Sequence, residues 1–301
     1  FAIPKTIFMI CSLVGLPFHY LLRWPRSPFT AGGLVLGVVS FFNILYGTLV
    51  GISKFEVKDI EFHHSNLPKA FDGYRIVQLS DIHIGSWIEN EKPIHELVKL
   101  VNEQKPDLIV FTGDLVNQRS CELEGFQNIL SQLHAKDGVY SILGNHDYGS
   151  YYHWKNLKEQ VNNIDNLVRM QKAMGWKLLN NEYDILHHEG DSIALIGVEN
   201  DGEPPFSQFA DLKKATKGTD GMFRILLSHN PTHWRREVLP DTDIELMLAG
   251  HTHAMQAIMF GHSLASLIYP EWGGMYTEGD RGLYVNIGIG YVGLPFRFGA
   301  W

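Results

Sequence analysis

The chain has 301 residues, which is enough for one large domain or two modest ones. With 45% hydrophobic and 19% charged residues it can bury a sizeable core, and this composition argues against an intrinsically disordered protein. The formal net charge of -8 argues against a protein that binds nucleic acid by neutralising its phosphates. A phosphate-cleaving metalloenzyme stays open, because bound cations are not part of that count. The start at Phe1, without the layout of a cleavable signal, is compatible with a fragment.

Two apolar segments come first in the chain. Residues 29–52 contain no charged side chain, and that length can cross a bilayer as one helix. Residues 7–22 are a shorter candidate, interrupted by Pro17 and His19. We therefore predict a membrane anchor over residues 1–54 with two transmembrane helices. The alternative is a buried helical hairpin of a soluble protein.

The basic residues around the two segments bear on orientation. Arg23 and Arg26 lie between the segments, and Lys54 and Lys58 follow the second. Because the numbers of basic residues on the two sides of the second segment are nearly equal, the positive-inside rule favours neither orientation strongly. If the connection is cytoplasmic, the rest of the chain is extracytoplasmic, and we carry that orientation, in the cell membrane, as the expectation.

From Phe55 onward the pattern changes to alternating strands and helices. Helical spacing of apolar residues predicts helices near residues 93–101, 123–133 and 157–168. Apolar runs predict strands near residues 74–79, 108–111, 139–143, 178–186, 192–198, 223–227, 244–248 and 283–287. Strands that alternate with helices early and dominate later indicate an α/β fold of stacked sheets flanked by helices.

Five polar clusters each follow the end of a predicted strand, at residues 80–83, 112–114, 144–147, 228–230 and 250–253. In the first and the last, two metal-binding side chains stand at positions i and i+2, which point to the same side of an extended chain. The carboxylate of Asp114 has two oxygens and can bridge two ions. Each short motif is weak evidence by itself. Together they converge at the carboxyl ends of strands, where α/β sheets place their sites.

In their order, the clusters resemble the calcineurin-like metallophosphoesterase superfamily. The resemblance is carried by Asp81-Ile82-His83, Gly113-Asp114, Gly144-Asn145-His146-Asp147, His229 and Gly250-His251-Thr252-His253. It covers about residues 76–286 and implies a four-layer α/β/β/α metallophosphoesterase sandwich over residues 55–301.

The resemblance also implies roles for single residues. Asp81, His83 and His253 would hold a first metal ion. Asn145, His229 and His251 would hold a second, with Asp114 between the two ions. His146 would lie over the phosphate as a catalytic residue without binding metal, and Asp147 would support it.

A finer resemblance is to bacterial membrane-anchored members, which include cell-envelope phosphodiesterases and an enzyme of lipid A synthesis that cleaves UDP-2,3-diacylglucosamine. It rests on residues 144–148, 228–231 and 283–286. The chain departs from these relatives at Ala254-Met255-Gln256, where they commonly have Gly-Gly. It also ends at Trp301, where they usually add a strand, so we expect an exposed sheet edge.

Mixed imidazole and carboxylate ligands suit Mn, Fe or Zn. We expect two such ions to activate a bridging hydroxide that attacks phosphorus, while His146 assists the leaving oxygen. The expected partners are a phosphoester substrate and the membrane, with no specific nucleic acid. The candidate substrates are a lipid-linked or nucleotide-sugar compound and a polymer such as a teichoic acid. Aromatic residues at 148–154 and 269–276 either line a substrate groove or pack within an insert. Arg281 and Arg297 are candidates for contact with a second phosphate or a carboxylate, but we expect them to be surface charges.

Two other functions compete with this hypothesis. A mononuclear iron oxygenase needs two histidines and one carboxylate, and would leave Asp114, Asn145 and His229 without a task. A membrane scaffold with a structural or relic metal site is the alternative that is not an enzyme. No position of the ligand pattern is visibly broken, which counts against the scaffold.

Overall fold

The computed structural model describes residues 2–301. Two long helices come first, α1 (Ala2–Leu22) and α2 (Ser27–Leu49), and they pack against each other. Both are apolar and long enough to cross a membrane, and only 6% and 17% of their most apolar windows are buried. This exposure is unlike that of a core hairpin in a soluble protein. The two predicted segments are thus confirmed as helices, and Pro17 lies inside α1 without ending it.

The remaining chain forms two sheets. The first contains four parallel strands in the order β1 (Ile76–Leu79), β2 (Leu108–Phe111), β3 (Val139–Ser141) and β4 (Lys177–Leu178). The second has the order β5-β6-β7-β8-β10-β9, in which β5 and β9 are antiparallel to their neighbours. Its strands are β5 (Glu182–His188), β6 (Asp191–Gly197), β7 (Arg224–Leu227), β8 (Leu246–Ala249), β9 (Gly274–Glu278) and β10 (Arg281–Val285).

Helices cover the outer face of each sheet. They are α3 (Lys92–Glu103), α4 (Gln127–Leu130) and α5 (Leu157–Ala173) on the first sheet, and α6 (Leu212–Thr216) and α7 (Leu239–Asp241) on the second. A π-helical turn, Trp234–Val238, leads into α7.

Three apolar cores separate these layers. Because successive strand residues face opposite sides, Ile109 and Phe111 pack toward the helices, whereas Leu108 and Val110 pack between the sheets. Leu226 belongs to the third core, outside the second sheet. Three cores between four layers confirm the predicted α/β/β/α sandwich.

Two predicted elements differ from the structure. The helix predicted near residues 123–133 is broken into a 3₁₀ turn, Ser120–Leu123, and the single turn of α4, because Gly125 between them has a φ of 90°. The strand predicted over residues 178–186 is divided between the two sheets as β4 and β5. The chain crosses from one sheet to the other at Asn181, whose φ is 56°. Strand β9 was not predicted.

Candidate metal centre

The carboxyl ends of β1, β2 and β3 meet those of β7 and β8 at one edge of the sandwich. Hydrogen bonds across the two sheets hold this edge together. Gln78 Nε2 donates to the Ala249 carbonyl at 2.8 Å, and the His229 ring bonds to the Thr112 carbonyl at 2.8 Å. All five predicted clusters are therefore brought to one place.

A first group of side chains consists of Asp81, His83 and His253. Their potential ligand atoms all lie within 4.8 Å of one another, and all three residues are buried. His253 Nε2 is 3.2 Å from Asp81 Oδ1 and 3.1 Å from His83 Nε2.

A second group lies directly beside the first. The ligand atoms of Asp114, His229 and His251 also lie within 4.8 Å of one another. His229 Nε2 is 3.1 Å from Asn145 Oδ1 and 3.2 Å from His251 Nδ1. Asp114 joins the two groups, because its Oδ2 is 3.2 Å from His229 Nε2 and 3.6 Å from His83 Nε2. The seven side chains predicted as ligands thus form one cluster.

The protonation of the histidines shows whether this cluster fits cations. Burial lowers the pKa of His83 and of His251 to about 3, although nearby carboxylates oppose the shift. Burial also lowers the pKa of His229, but the charge of Asp114 and its hydrogen bond outweigh it and raise the pKa to about 9. Neutral imidazole is the form that binds metal, so His83 and His251 are already in that form, whereas His229 would give up its proton to a bound cation. Two ring nitrogens that face each other at 3.1–3.2 Å share at most one proton, whereas a cation satisfies several lone pairs at once. The donor set therefore fits divalent metal ions.

Comparison with known families decides which family has this arrangement. The model of the calcineurin-like phosphoesterase family matches residues 74–255, which is more than half of the chain. The chain belongs to this family. The matched range contains all seven clustered positions, from Asp81 to His253.

Several relatives of this chain carry informative names. A Danio rerio protein named "Transmembrane protein with metallophosphoesterase domain" is 31% identical over 273 residues, which are 87% of this chain and 59% of the relative. The "Uncharacterized metallophosphoesterase YkuE" of Bacillus subtilis is 32% identical over 78% of each chain. The "UDP-2,3-diacylglucosamine pyrophosphatase LpxG" of Chlamydia trachomatis is 27% identical over 75% of this chain and 81% of that protein. The two apolar helices and the relative named as a transmembrane protein indicate membrane association.

The partners of His146 and Asp147 differ from those expected. The Asp147 carboxylate accepts backbone N–H groups of Asp114, Leu115, Val116 and Gly144 at 2.8–3.1 Å. It therefore holds the two loops that carry Asp114 and Asn145, and it is not the partner of the His146 ring. That ring bonds through Nδ1 to the Asn117 carbonyl at 2.6 Å, and the backbone N–H of His146 donates to Asp114 Oδ1.

The seven candidate ligands lie on an unusual backbone. Five of the seven have a left-handed conformation, with φ of 47–77° at Asp81, His83, Asp114, His251 and His253. Each such non-glycine residue costs roughly 1–2 kcal/mol. Strain of this kind concentrates at functional sites, where the surrounding structure enforces it.

Two glycines of the motifs are required for space. A Cβ at Gly144 would lie 2.6 Å from the backbone nitrogen of Asp114, and a Cβ at Gly250 would overlap the side chains of Ser80 and Asp81. Close approach of the loops therefore explains why glycine occupies both positions.

Aromatic side chains border the cluster, as the sequence predicted for part of them. Tyr151 Oη accepts from Asn145 Nδ2 at 2.9 Å, and Tyr269 Oη lies 3.0 Å from His251 Nε2. Trp154 instead donates to the Gly149 carbonyl. The ring of Phe206, which the sequence analysis did not single out, lies edge-on to His251 at 4.5 Å.

The sequence analysis missed a further group of polar side chains around the buried His233. His233 bonds through Nδ1 to Ser228 Oγ and through Nε2 to Glu237 Oε2, both at 2.9 Å. Arg236 pairs with Asp201 and Glu237, so the carboxylates of this group already have a cationic partner. The group braces Ser228, the neighbour of the ligand His229. The spacing of His233 and Glu237 by one helical turn was the available signal.

The two arginines considered for the surface have structural roles. Arg297 is buried, and its guanidinium donates to the carbonyls of Ile287, Gly288, Gly290 and Ala300. Arg281 donates to the carbonyls of Val238, Leu239 and Ile244. The expectation of surface charges is therefore wrong for Arg297, because the loop after β10 needs a donor for several inward carbonyls.

Proposed function

We propose that this chain is a membrane-anchored phosphoester hydrolase of phosphodiesterase type that works with two divalent metal ions. The observation that carries the proposal is the convergence of seven metal-binding side chains into two adjoining groups that share Asp114. We assign the anchor to residues 1–54 and the catalytic domain to residues 55–301, on the extracytoplasmic side of the cell membrane.

The residues divide into two ligand sets. Asp81, His83 and His253 would hold one ion. His229, His251 and Asn145 would hold the other, with Asp114 shared between them. Bound divalent ions would lower the pKa of a water molecule and neutralise the charge of the phosphate. The donor set favours Mn, Fe or Zn.

His146 supplies the proton chemistry in this proposal. Because the Asn117 carbonyl can only accept, His146 Nδ1 carries a proton toward it. Nε2 is then the atom that exchanges a proton with the leaving oxygen. The ring stands edge-on to that of His83 at 4.7 Å, which keeps it at the border of the metal site. Asp147 acts through the backbone that it holds, as a positioning residue.

The substrate class follows from the surroundings. The anchor places the site near a membrane, and the LpxG relative is named for a pyrophosphatase of a diacylated nucleotide sugar. We therefore propose a lipid-linked phosphoester or pyrophosphate as substrate. The ring faces of Tyr151, Tyr269 and Phe206 beside the ligands suit the apolar or planar part of such a molecule.

The test uses the full chain purified in detergent. Metal analysis should find about two ions per chain, as a dinuclear site requires, and the protein should hydrolyse bis(4-nitrophenyl) phosphate with Mn²⁺. Chelation should abolish this activity and Mn²⁺ should restore it. Asp114→Asn should lose metal and activity, while Asp165→Asn, an exposed carboxylate on α5, should keep both.

A single ion per chain would contradict the dinuclear proposal. Metal-loaded protein without any hydrolysis of the aryl diester would contradict the enzymatic one and favour a scaffold with a structural metal site. Oxygen consumption with one bound iron would favour the oxygenase.

A further inference from the structure

An exposed apolar surface lies in the segment that follows the last metal ligand. We name it the apolar rim and define it as Met259, Phe260, Leu264, Leu267, Ile268, Val292 and Leu294, all of which are exposed. Phe260 is 95% exposed and Leu267 is 81% exposed. Residues 254–270 contain no Asp, Glu, Lys or Arg. Apolar side chains grouped in this way indicate an interaction surface.

Both ends of the rim's main loop are tied to the metal centre. The loop leaves the centre at His253, which lies 3.2 Å from Asp81. It returns at Tyr269, whose hydroxyl is 3.0 Å from His251. Whatever the rim contacts is therefore held beside the metal centre.

The same loop is connected to the membrane helix α2 through the end of the chain. Ile258 N donates to the Phe298 carbonyl at 2.8 Å, and Arg297 N donates to the Gly47 carbonyl of α2 at 3.2 Å. Tyr46 of α2 makes edge-on ring contacts with Phe298 and Trp301. Tyrosine and tryptophan at the end of a spanning helix are typical of the membrane interface. The rim is thus continuous with the surface at which α2 meets that interface.

The backbone of the rim is suited to an apolar environment. Met259 and His262 exchange both of their backbone hydrogen bonds, at 2.9 and 3.0 Å, around a tight turn formed by Phe260 and Gly261. Both turn residues have positive φ, 53° and 78°, as in the two-residue turns of hairpins. Phe260 therefore stands at the tip of a small hairpin in which the backbone groups of Met259 and His262 satisfy each other, and such internal pairing favours a shallow apolar environment.

We infer that the apolar rim inserts into the bilayer surface next to α2 and presents the metal centre to phosphoesters in the headgroup layer. The occupant is lipid, because the rim lacks charge and continues the membrane-facing surface of α2. The insertion is shallow, of the order of the 5–10 Å reached by interfacial segments. The inference rests on the membrane anchoring in the proposed function, and it adds a second membrane contact that is part of the catalytic domain.

The test places a fluorescent label on the tip of the rim. In the full chain with Cys11→Ser and Cys121→Ser, Phe260→Cys is labelled with an environment-sensitive dye and reconstituted in nanodiscs of phosphatidylcholine and phosphatidylglycerol. Emission should shift to the blue. Lipids that carry a quencher near the headgroup end of the acyl chain should quench it several-fold more than lipids with a deep quencher. A label at Leu157→Cys, an exposed leucine on α5, should do neither.

A second set of variants shows whether the apolar side chains cause the insertion. Leu264→Asp with Leu267→Asp should abolish the blue shift and the quenching of the label at position 260, while α1 and α2 keep the protein in the nanodisc. Leu157→Asp is the matched control, since Leu157 is 73% and Leu264 is 68% exposed. Thermal unfolding of each variant shows that the fold is retained.

Two outcomes would overturn the inference. A label at position 260 with water-like emission and no lipid quenching would show that the rim stays in solvent. A blue shift that follows protein concentration and is unaffected by quencher lipids would identify a second copy of the chain as the occupant.

The result is separable from the proposed function. Hydrolysis of the water-soluble aryl diester depends on the metal centre and should be unchanged in the rim variants. Loss of insertion with intact hydrolysis would therefore contradict only the rim, and insertion without hydrolysis would contradict only the enzyme.

Discussion

The ligand residues are held where their own backbones are strained. Asp81 and His83 have left-handed φ values, and a carbonyl one strand away fixes each of them. The N–H of Asp81 donates to the Gly113 carbonyl at 2.9 Å, and that of His83 donates to the Asp114 carbonyl at 3.1 Å. Neighbouring loops therefore determine the direction of each ligand, and the strain is balanced by contacts between sequence-distant segments.

One substitution distinguishes a proton-transfer role of His146 from a role as a metal ligand. His146→Ala should lower the turnover of a phosphodiester with an alkyl leaving group by about 10²–10⁴-fold, the usual contribution of a general acid, because an alkoxide needs a proton as it leaves. Metal content should be unchanged, because the backbone N–H that bonds to Asp114 is retained. Parallel turnover and metal analysis test this. Because the ring of His146 also lies near His83 and Asp114, loss of metal from the variant would assign it to the ligand set instead.

Met255 occupies a position at which relatives were expected to have glycine. Its φ of 45° and ψ of 33° are left-handed, and its side chain is exposed. Met255→Gly removes about 1–2 kcal/mol of strain, and the more flexible unfolded chain offsets about 0.4–1, which leaves a net gain of about 0.5–1 kcal/mol. Thermal unfolding should show a higher Tm. Met255→Ala keeps the Cβ and should not gain, and an equal gain in both variants would show that strain is not the cause.

At the scale of elements, β1 and β2 are aligned by a side chain outside the strands. The Asp107 carboxylate accepts a hydrogen bond from the backbone N–H of Arg75 at 2.8 Å and forms an ion pair with Lys136. Arg75 directly precedes β1, and Asp107 directly precedes β2. Burial alone would raise the pKa of Asp107, but the hydrogen bonds from Lys136 and Arg75 outweigh it and lower the pKa below its ordinary value of 3.8. The charged form is therefore the one that stabilises the start of both strands.

This pairing predicts a pH dependence with a definite sign. A carboxyl whose pKa is lowered by folding contributes stability above its unfolded pKa, and this contribution is lost as the pH falls through the folded pKa. Asp107→Asn should therefore cost about 1 kcal/mol at pH 6, and the difference from the unmodified chain should shrink below about pH 4. Denaturant unfolding of both proteins across this range measures it. A difference that stays constant into acid would contradict the role of the charge.

At the scale of the whole molecule, the apolar helices and the rest of the chain are joined by close packing. Gly47 and Gly51 at the end of α2 lie against residues Phe296 and Arg297, and Arg297 also holds the loop over the metal centre. The N–H groups of Ile289 and Gly290 in that loop donate to the carbonyls of Ser80 and Asp81. The membrane helix is thus connected to the first ligand through two layers of backbone contacts.

Two glycines, one within α2 and one two residues after its end, test this connection. A Cβ at Gly51 would overlap the Arg297 carbonyl oxygen, whereas a Cβ at Gly32 of α2 meets nothing within 4 Å. Gly51→Ala should destabilise the chain by about 1–3 kcal/mol through overpacking, and Gly32→Ala should not. Thermal unfolding in detergent gives the magnitude, and proteolysis should show that residues 296–301 become accessible only in Gly51→Ala. Equal behaviour of the two variants would mean that the end of the chain is not docked on α2.

Much of the fold and the ligand set followed from local patterns. Strand ends marked by Asp81, Asp114 and His229 could be found because parallel strands align their carboxyl ends at one edge. The break at Gly125 could not, because the helical spacing of apolar residues continues through it. At Asn181 the polar pair Asn180-Asn181 was an available turn signal that the sequence analysis did not use. The missed strand β9 pairs only with β10, so its existence depends on a partner that local sequence does not specify.

The sequence by itself determined the family, the set of candidate ligands and the presence of two apolar helices, since residue type, spacing and hydropathy are local properties. Only the tertiary structure decided that Asp147 serves backbone amides, that Arg297 is buried, and that the apolar rim is continuous with α2. Each of these depends on contacts between segments that are far apart in the chain, such as Gly47 with Arg297. These contacts form only when folding brings the distant segments together.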